Sequence, residues 1–333
     1  MLADIGIDIE RAKNHLIANE IIGLPTETVY GLAGNGLKAE VVAKIFAIKN
    51  RPFFDPLILH IGDYSQLTSL ATEVPAPLND LVKAFWPGPL TILVPKKDII
   101  PDIVTSGLLR VAVRMPNHPL TLALLKSIPF PLAAPSANPF GYISPTTPDH
   151  VVKQLGVKIP FVLDGGRCQI GIESTIVGME LDDLVIYRLG GLSLENIRSV
   201  YKGNIKMNVS SSHPESPGMI LSHYAPKKPL FLGEKETLLS MGQHKNAAVL
   251  CFKERWSEMD TKNQWVLSES GDYEESAHRL FSFLREMDEA DISHILAEKL
   301  PDESLGIAIN DRLYRASQKS MLLYKTEWLF FRS

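Results

Sequence analysis

Cysteine is nearly absent. The 333 residues hold two, Cys168 and Cys251, too few for a disulfide framework or a cysteine-rich zinc site. They stand 83 positions apart, which assigns them to different domains as reduced core thiols. No stretch reaches the ~18 consecutive apolar residues of a membrane-spanning helix, so no membrane partner is expected. The opening MLADIGIDIE carries three acidic residues and neither the basic start nor the apolar core of a secretory signal; the expected location is the cytoplasm. A net charge of −4 argues against a surface that binds nucleic acid throughout, though not against a local basic cleft. Familiar catalytic signatures are missing too. There is no GxxxxGKS/T phosphate loop, and Gly31-Leu-Ala-Gly-Asn-Gly36 has its glycines in the wrong order for a dinucleotide fingerprint. Nor is there an HExxH or a Cys/His cluster, and Ser136 stands in Pro-Ser-Ala-Asn rather than in a GxSxG elbow. Zinc and serine hydrolases are thereby excluded, and no covalent nucleophile stands out.

What is present is a chain too long for one hydrophobic core, with 45% apolar residues, so two domains are expected. Proline separates them: 17 of 23 lie before residue 150, implying a first domain with rigid, shaped loops. Apolar spacing predicts a helix over Ile5–Asn19 and then a strand to Leu24. A second helix, Ala39–Lys49, stops at Asn50-Arg51-Pro52, because proline disfavours helix in the residue before it. Strands at Pro56–Ile61, Leu90–Pro95, Leu108–Arg114, Leu132–Ala134, Phe161–Leu163, Thr175–Val177 and Leu184–Tyr187 alternate with helices near Leu78–Trp86, His118–Lys126, Thr147–Leu155 and Leu194–Tyr201. The class is α/β with a sheet of mixed direction.

Residues 1–203 are read as this first domain. Residues 204–228 suit a linker, with Ser210-Ser211-Ser212 and little apolar periodicity. Within it lies the polar island Ser216-Pro-Gly-Met-Ile-Leu-Ser-His-Tyr-Ala-Pro226. Residues 229–333 are expected to form a smaller Rossmann-like domain: strands at Pro229–Leu232, Ala247–Phe252 and Ile292–Ala297, with helices at Glu234–Met241, Tyr273–Met287 and Glu303–Lys319.

Several short polar islands sit at strand ends. Pro25-Thr-Glu-Thr-Val-Tyr-Gly31 packs two hydroxyls, a carboxylate and a phenol into a turn, which alone is equally a capped turn. Lys49 and Arg51 offer an ammonium and a guanidinium suited to phosphate, or simply cations complementing a helix end. Arg110 and Arg114, four apart in a strand, share one face; they fit a shared anion or a solvated surface. His60 alone fits a core histidine. Ala133-Ala-Pro-Ser-Ala-Asn138, Glu173-Ser-Thr175 and Tyr187-Arg-Leu-Gly-Gly191 are further polar turns beside strands.

In this order, PTETVYGL, KNRPFFDPLILHI, WPGPLTIL, RVAVRMPNHP, AAPSAN, ESTIV and YRLGG resemble the YrdC-like family of threonylcarbamoyl-adenylate synthases. The SPGMILSHYAP island and the α/β domain after it are similar to the longer, two-domain Sua-type branch. The resemblance implies an open, twisted mixed sheet with a concave, positive cavity. It also implies synthesis of L-threonylcarbamoyl-AMP and pyrophosphate from L-threonine, bicarbonate and ATP, with Mg2+ carried by ATP and no protein-held metal. That product feeds the threonylcarbamoyladenosine modification of tRNA through a downstream threonylcarbamoyl-transferase complex, tRNA contact being indirect. Carried over by position, Thr28, His60, Arg114 and Ser174 would hold threonine, with Arg114 on its carboxylate and Ala134 approaching through its backbone. Arg51, Asp55, Arg110, Ser136, Ser144 and Arg188 would hold ATP, with Asn138 completing the Ser-x-Asn motif. Lys49 and Arg51 would be the catalytic cations, and Tyr224 would close over the nucleotide as part of a lid. The pattern departs at Phe53-Phe54-Asp55-Pro56: many relatives carry a neutral amide where Asp55 stands, and a carboxylate there repels phosphate unless it faces magnesium or ribose. Two other classes fit the residues: an RNA-binding module without catalysis, and carbamoyl transfer to another acceptor, as in hydrogenase maturation. The absence of an acylphosphatase-like or zinc-finger segment argues against the second.

Overall fold

The structure, a computed structural model, describes residues 2–208, 223–240 and 246–317. The chain divides into two units, one of Met1–Phe140 with Ser144–Met219, the other of Gly141–Ile143 with Ile220–Ser333. Most of the expected linker, residues 209–222, lies outside the described residues, and so do Met241 and residues 318–333 of the expected second domain.

The strands of the first unit are β1 (Asp4–Gly6), β2 (Ile22–Leu24), β3 (Gly31–Asn35), β4 (Ile58–His60), β5 (Leu90–Pro95), β6 (Arg110–Arg114), β7 (Leu132–Ala133), β8 (Phe161–Leu163), β9 (Thr175–Glu180), β10 (Asp183–Arg188) and β11 (Ile205–Met207). They form one sheet in the order β1-β8-β2-β3-β7-β4-β6-β5-β9-β10-β11. Its direction is mixed: β4 runs parallel to β6, while β7 is antiparallel to both β3 and β4. Leu16, Ile22, Leu24, Leu132, Phe161 and Leu163 pack one core on this frame, and Ile58, Leu93, Ala112, Ile176 and Val185 pack another.

The predicted helix Ile5–Asn19 is shorter than expected. Asp4–Gly6 pair in parallel with Phe161–Leu163, and the helix starts only at Ile9, where the Asp8 side chain accepts from the Arg11 N–H. Apolar spacing alone did not register that cap. Gly31–Asn35 is a strand despite two glycines, residues that weaken strands unless a neighbour must come close. A Cβ on Gly34 would lie 2.7 Å from Val41 Cγ1. The first sheet also continues past residue 203, since Ile205–Met207 pair with β10.

In the second unit, β12 (Leu230–Gly233), β13 (Ala247–Cys251), β14 (Gln264–Val266) and β15 (His294–Glu298) form an all-parallel sheet in the order β12-β15-β13-β14. Helix Tyr273–Glu289, capped by Asp272, buries Leu280, Phe281, Leu284 and Met287. This is the expected Rossmann-like arrangement with one strand, β14, that its three-residue length kept from view. Both cysteines are free and buried, one in each unit; burial raises both thiol pKa values, that of Cys251 to about 12.

Candidate active site

Strand register assembles the first group of side chains. His60 ends β4 and Arg114 ends β6, and the two are direct neighbours. Thr91 of β5 lies opposite Arg114, and Leu132 of β7 opposite His60. Ala134 follows β7, its N–H donating to the Ile58 carbonyl at 3.2 Å. The turn after β2 is built by Thr26, whose hydroxyl accepts from the N–H groups of Thr28 and Val29. That turn aims Thr28 at Arg114, whose Nη1 donates to Thr28 Oγ1 at 2.8 Å. Arg114 Nε donates to the Gly88 carbonyl at 3.2 Å, and Nη2 meets Glu27 Oε1 at 2.7 Å. Ser174, before β9, shares a 2.7 Å hydrogen bond with Thr91 and accepts from Arg188 Nη2 at 3.1 Å. Burial first, and the Arg114 charge second, lower the His60 pKa to about 3, so its imidazole is neutral near pH 7.

The second group forms around Lys49. Its helix ends at Asn50, which adopts the left-handed conformation at φ 54° while the Arg51 N–H returns to the Phe46 carbonyl. That turn, as well as Pro52, sets the stop. The helix end is complemented by Lys158, whose ammonium reaches the Ile48 carbonyl at 2.9 Å. Lys49 is buried and turns elsewhere: Nζ donates to the carbonyls of Ser136 and, at 2.7 Å, of Asn138. The Lys49 carbonyl accepts from the Phe140 N–H, so this one residue pins the Ser-Ala-Asn turn at both ends. Burial above all, and then Arg51, hold the Lys49 pKa well below the usual lysine value, with Asp55 and Glu173 opposing. Arg51 donates to the Asp55 and Pro56 carbonyls and pairs with Asp55 Oδ2 at 2.8 Å. Ser144 Oγ donates to Glu173 Oε1 at 2.6 Å. Glu173 and Ser174 are adjacent, which joins the two groups.

Arg110 starts β6, four residues or ~13 Å along the strand from Arg114, and donates to the Tyr187 hydroxyl at 2.8 Å. The two arginines share a strand face, and each meets its own internal partner, Tyr187 for Arg110 and Glu27 for Arg114. Tyr224 belongs to the second unit, buried at φ 63°, with Phe281 stacked 5.4 Å away and the Arg312 guanidinium 5.5 Å from its ring. Most of the lid proposed around it, Ser216–Ser222, lies outside the described residues. Asp55 is fully buried against Arg51, so the carboxylate that set this chain apart faces an internal cation. The structure adds Glu27, Thr91 and Glu173 to the cluster. All three stand inside the motifs read from the sequence, yet only the fold shows the partner each one meets: Arg114 for Glu27, Ser174 for Thr91 and Ser144 for Glu173. A separate cavity of about 620 Å³, lined by Thr147, His150, Lys153 and Arg167 among others, contains none of these residues.

A mixed sheet whose strand ends gather buried cations and hydroxyls in one unit, and an all-parallel sheet in the other, define a two-domain α/β protein. A family model described as "Telomere recombination" matches residues 14–190, and one described as "Threonylcarbamoyl-AMP synthase, C-terminal domain" matches residues 192–318. The threonylcarbamoyl-AMP synthase of Bacillus subtilis is 39% identical over 93% of this chain and 92% of its own. That of Pyrococcus abyssi is 38% identical over 93% and 94%. A crystal structure of P. abyssi Sua5 complexed with L-threonine superposes with a TM-score of 0.88 at 35% identity, covering 96% of this chain and 98% of the other. The chain belongs to the Sua-type, YrdC-like family of threonylcarbamoyl-AMP synthases.

Proposed function

We propose that this protein is an L-threonylcarbamoyladenylate synthase: it joins L-threonine and bicarbonate as a carbamate and transfers AMP from ATP to that carbamate, releasing pyrophosphate. The observation that carries the reading is likeness along 93% of the chain to enzymes of that name. The site's chemistry supports it. Attack of a carbamate oxygen on the α-phosphorus needs no protein nucleophile; it needs positioning and neutralisation of charge, and the two groups supply buried cations and fixed hydroxyls.

In this reading Arg114, with Thr28, His60, Ser174 and the Ala134 backbone, receives threonine. His60 is neutral and leaves the carboxylate to Arg114. ATP, as its magnesium complex, is held by Arg51, Ser136, Asn138, Ser144 and Arg188, with Lys49 at the phosphates or the carbamate. Asp55 acts on ATP only through Arg51. The product would pass to a downstream threonylcarbamoyl-transferase complex that modifies tRNA in the cytoplasm. The test is pyrophosphate release from ATP by the full chain, with threonine and bicarbonate present and then each omitted. Release requiring both is expected. Equal release with serine, glycine or no amino acid would sink the assignment: a pocket that hydrogen-bonds the threonine hydroxyl strongly rejects glycine, which lacks it, and one that also accepts the methyl group disfavours serine by about 10- to 200-fold.

A further inference from the structure

The buried pair of Glu27 and Arg114 offers more than one anion requires. Each is 3% exposed, and the two meet at 2.7 Å. Beyond that ion pair, neither carboxylate oxygen of Glu27 takes a hydrogen bond from the described residues, and Nδ1 of His60, next to Arg114, has no partner either. Buried polar atoms are almost always satisfied, so lone pairs left open in one place point to a ligand that completes them. The Glu27 main chain is fixed, its carbonyl accepting from the Ile170 N–H at 2.7 Å. The carboxylate is therefore a built feature of the turn.

An α-amino acid presents its ammonium and its carboxylate on one carbon. A site that takes both needs an anion and a cation side by side, and a neutral buried pair matches a neutral zwitterion without adding net charge to the interior. Resting on the reading in which Arg114 holds the threonine carboxylate, we propose that Glu27 receives the α-ammonium group of threonine and takes one proton from it. The free amine then attacks the bicarbonate carbon. A C–N bond forms, the C–OH bond breaks, and the hydroxyl leaves as water with a second amine proton. The carbamate that results is the nucleophile for ATP, and Glu27 returns its proton to solvent. The groups facing Glu27 are Arg114 from β6, with His60 of β4 beside it, and the Cys168 thiol from the segment after β8. Burial keeps the Cys168 thiol protonated, and burial with the Arg114 charge disfavours the imidazolium and makes His60 a weak base, which leaves Glu27 as the acceptor.

The test compares wild type with Glu27→Gln, which keeps the shape and removes the charge. Calorimetry on the full chain measures L-threonine against its 2-hydroxy analogue, in which a hydroxyl replaces the amine. Wild type should prefer threonine by about 10- to 100-fold, the range of one charge-assisted hydrogen bond, and E27Q should reduce that preference to within about threefold. Pyrophosphate release by E27Q should also gain a dependence on free amine, kcat/KM for threonine rising about tenfold per pH unit below the amine pKa, where wild type is flat. An E27Q protein that keeps both the threonine preference and the wild-type pH profile overturns the proposal. If E27Q also loses ATP affinity, and so its fold, Glu27→Asp carries the test: it should retain the preference, and its loss with ATP binding intact overturns the proposal as well. Wild type that releases pyrophosphate without threonine would instead overturn the functional reading on which this rests.

Discussion

Lys49→Met separates the turn-pinning role that the structure shows for the Lys49 ammonium from the catalytic role proposed for it. Methionine keeps the length of the stem and deletes the charge. In the folded chain Nζ is hydrogen-bonded to the carbonyls of Ser136 and Asn138 and the residue is 1% exposed. Losing two charge-assisted hydrogen bonds costs about 1.5–3 kcal/mol each. Against this, removing a buried ion recovers a desolvation penalty of several kcal/mol. The terms oppose, and the expected change in stability is within about 2 kcal/mol. Catalysis has no such compensation: one donor lost from charge that develops in the transition state costs about 2.7–4 kcal/mol, or 10²–10³ in turnover. Pyrophosphate release at saturating ATP and threonine, measured beside urea unfolding, reads both. A large fall in turnover with nearly unchanged stability is expected. Turnover within threefold of wild type would refute the reasoning. So would turnover lost together with more than about 4 kcal/mol of stability, since Lys49 would then be a pin for the 136–138 turn and nothing else.

His60 predicts a pH effect with a definite sign. Its folded pKa of about 3 lies below the ~6.5 of an unfolded histidine, so its contribution is fully present above pH 6.5 and is lost as pH falls toward 3, by about 1.4 kcal/mol per unit. His60→Gln should remove that slope in urea unfolding between pH 6 and 4; parallel curves for the two proteins count against it. Asp55→Asn should free Arg51 from its internal counter-ion, lowering KM for ATP several-fold while destabilising the fold by about 1–3 kcal/mol. A raised KM would mean that the carboxylate itself serves the nucleotide. Leu181 is 98% exposed at φ 54°, a backbone conformation costly for a side chain of this kind. Leu181→Asn should therefore stabilise by up to about 1 kcal/mol with turnover unchanged, and an unmoved Tm would show that the turn carries no strain.

What was legible follows from range. Helix Ala39–Lys49 and its stop were readable because spacing, Asn50 and Pro52 act within a few residues. Gly31–Asn35 was not, since its reason for being a strand is the closeness of Val41 to Gly34, a contact that composition hides. Nor was the insertion of β7 between β3 and β4, which pairs segments about 100 and 70 residues apart in sequence. The site divides the same way. The motifs supplied Thr28, Arg114, Lys49 and Ser174, but Arg114 finds Glu27 across 87 positions and Lys49 finds Ser136 across 87. Asp55 stands four residues from Arg51, a spacing near enough to suggest the pair that the fold shows, while likeness to relatives directed attention to the phosphate.

That pair also bears on how such a site exists when empty. Lys49, Arg51, Arg114 and Arg188 are four cations, none more than 8% exposed. Four unpaired charges so deep in a protein would cost far more than the stability of a domain. Asp55 on Arg51, Glu27 on Arg114 and Glu173 near Lys49 place a carboxylate beside three of these four side chains, with Arg188 held by Ser174. The carboxylates are thus part of the cation site itself. They also weaken its grip: a polyanion entering the site competes with partners already in place, and a polyanion leaving is replaced by them. Four bare cations would bind ATP and pyrophosphate tightly and alike, which lowers KM without raising turnover. In the proposed reaction, partly compensated cations would hold ground states loosely and be more fully engaged as charge develops on the departing pyrophosphate. A neutral residue at position 55 shifts this balance by one charge, so Asp55→Asn should tighten ATP and pyrophosphate together, and turnover should then fall because release slows.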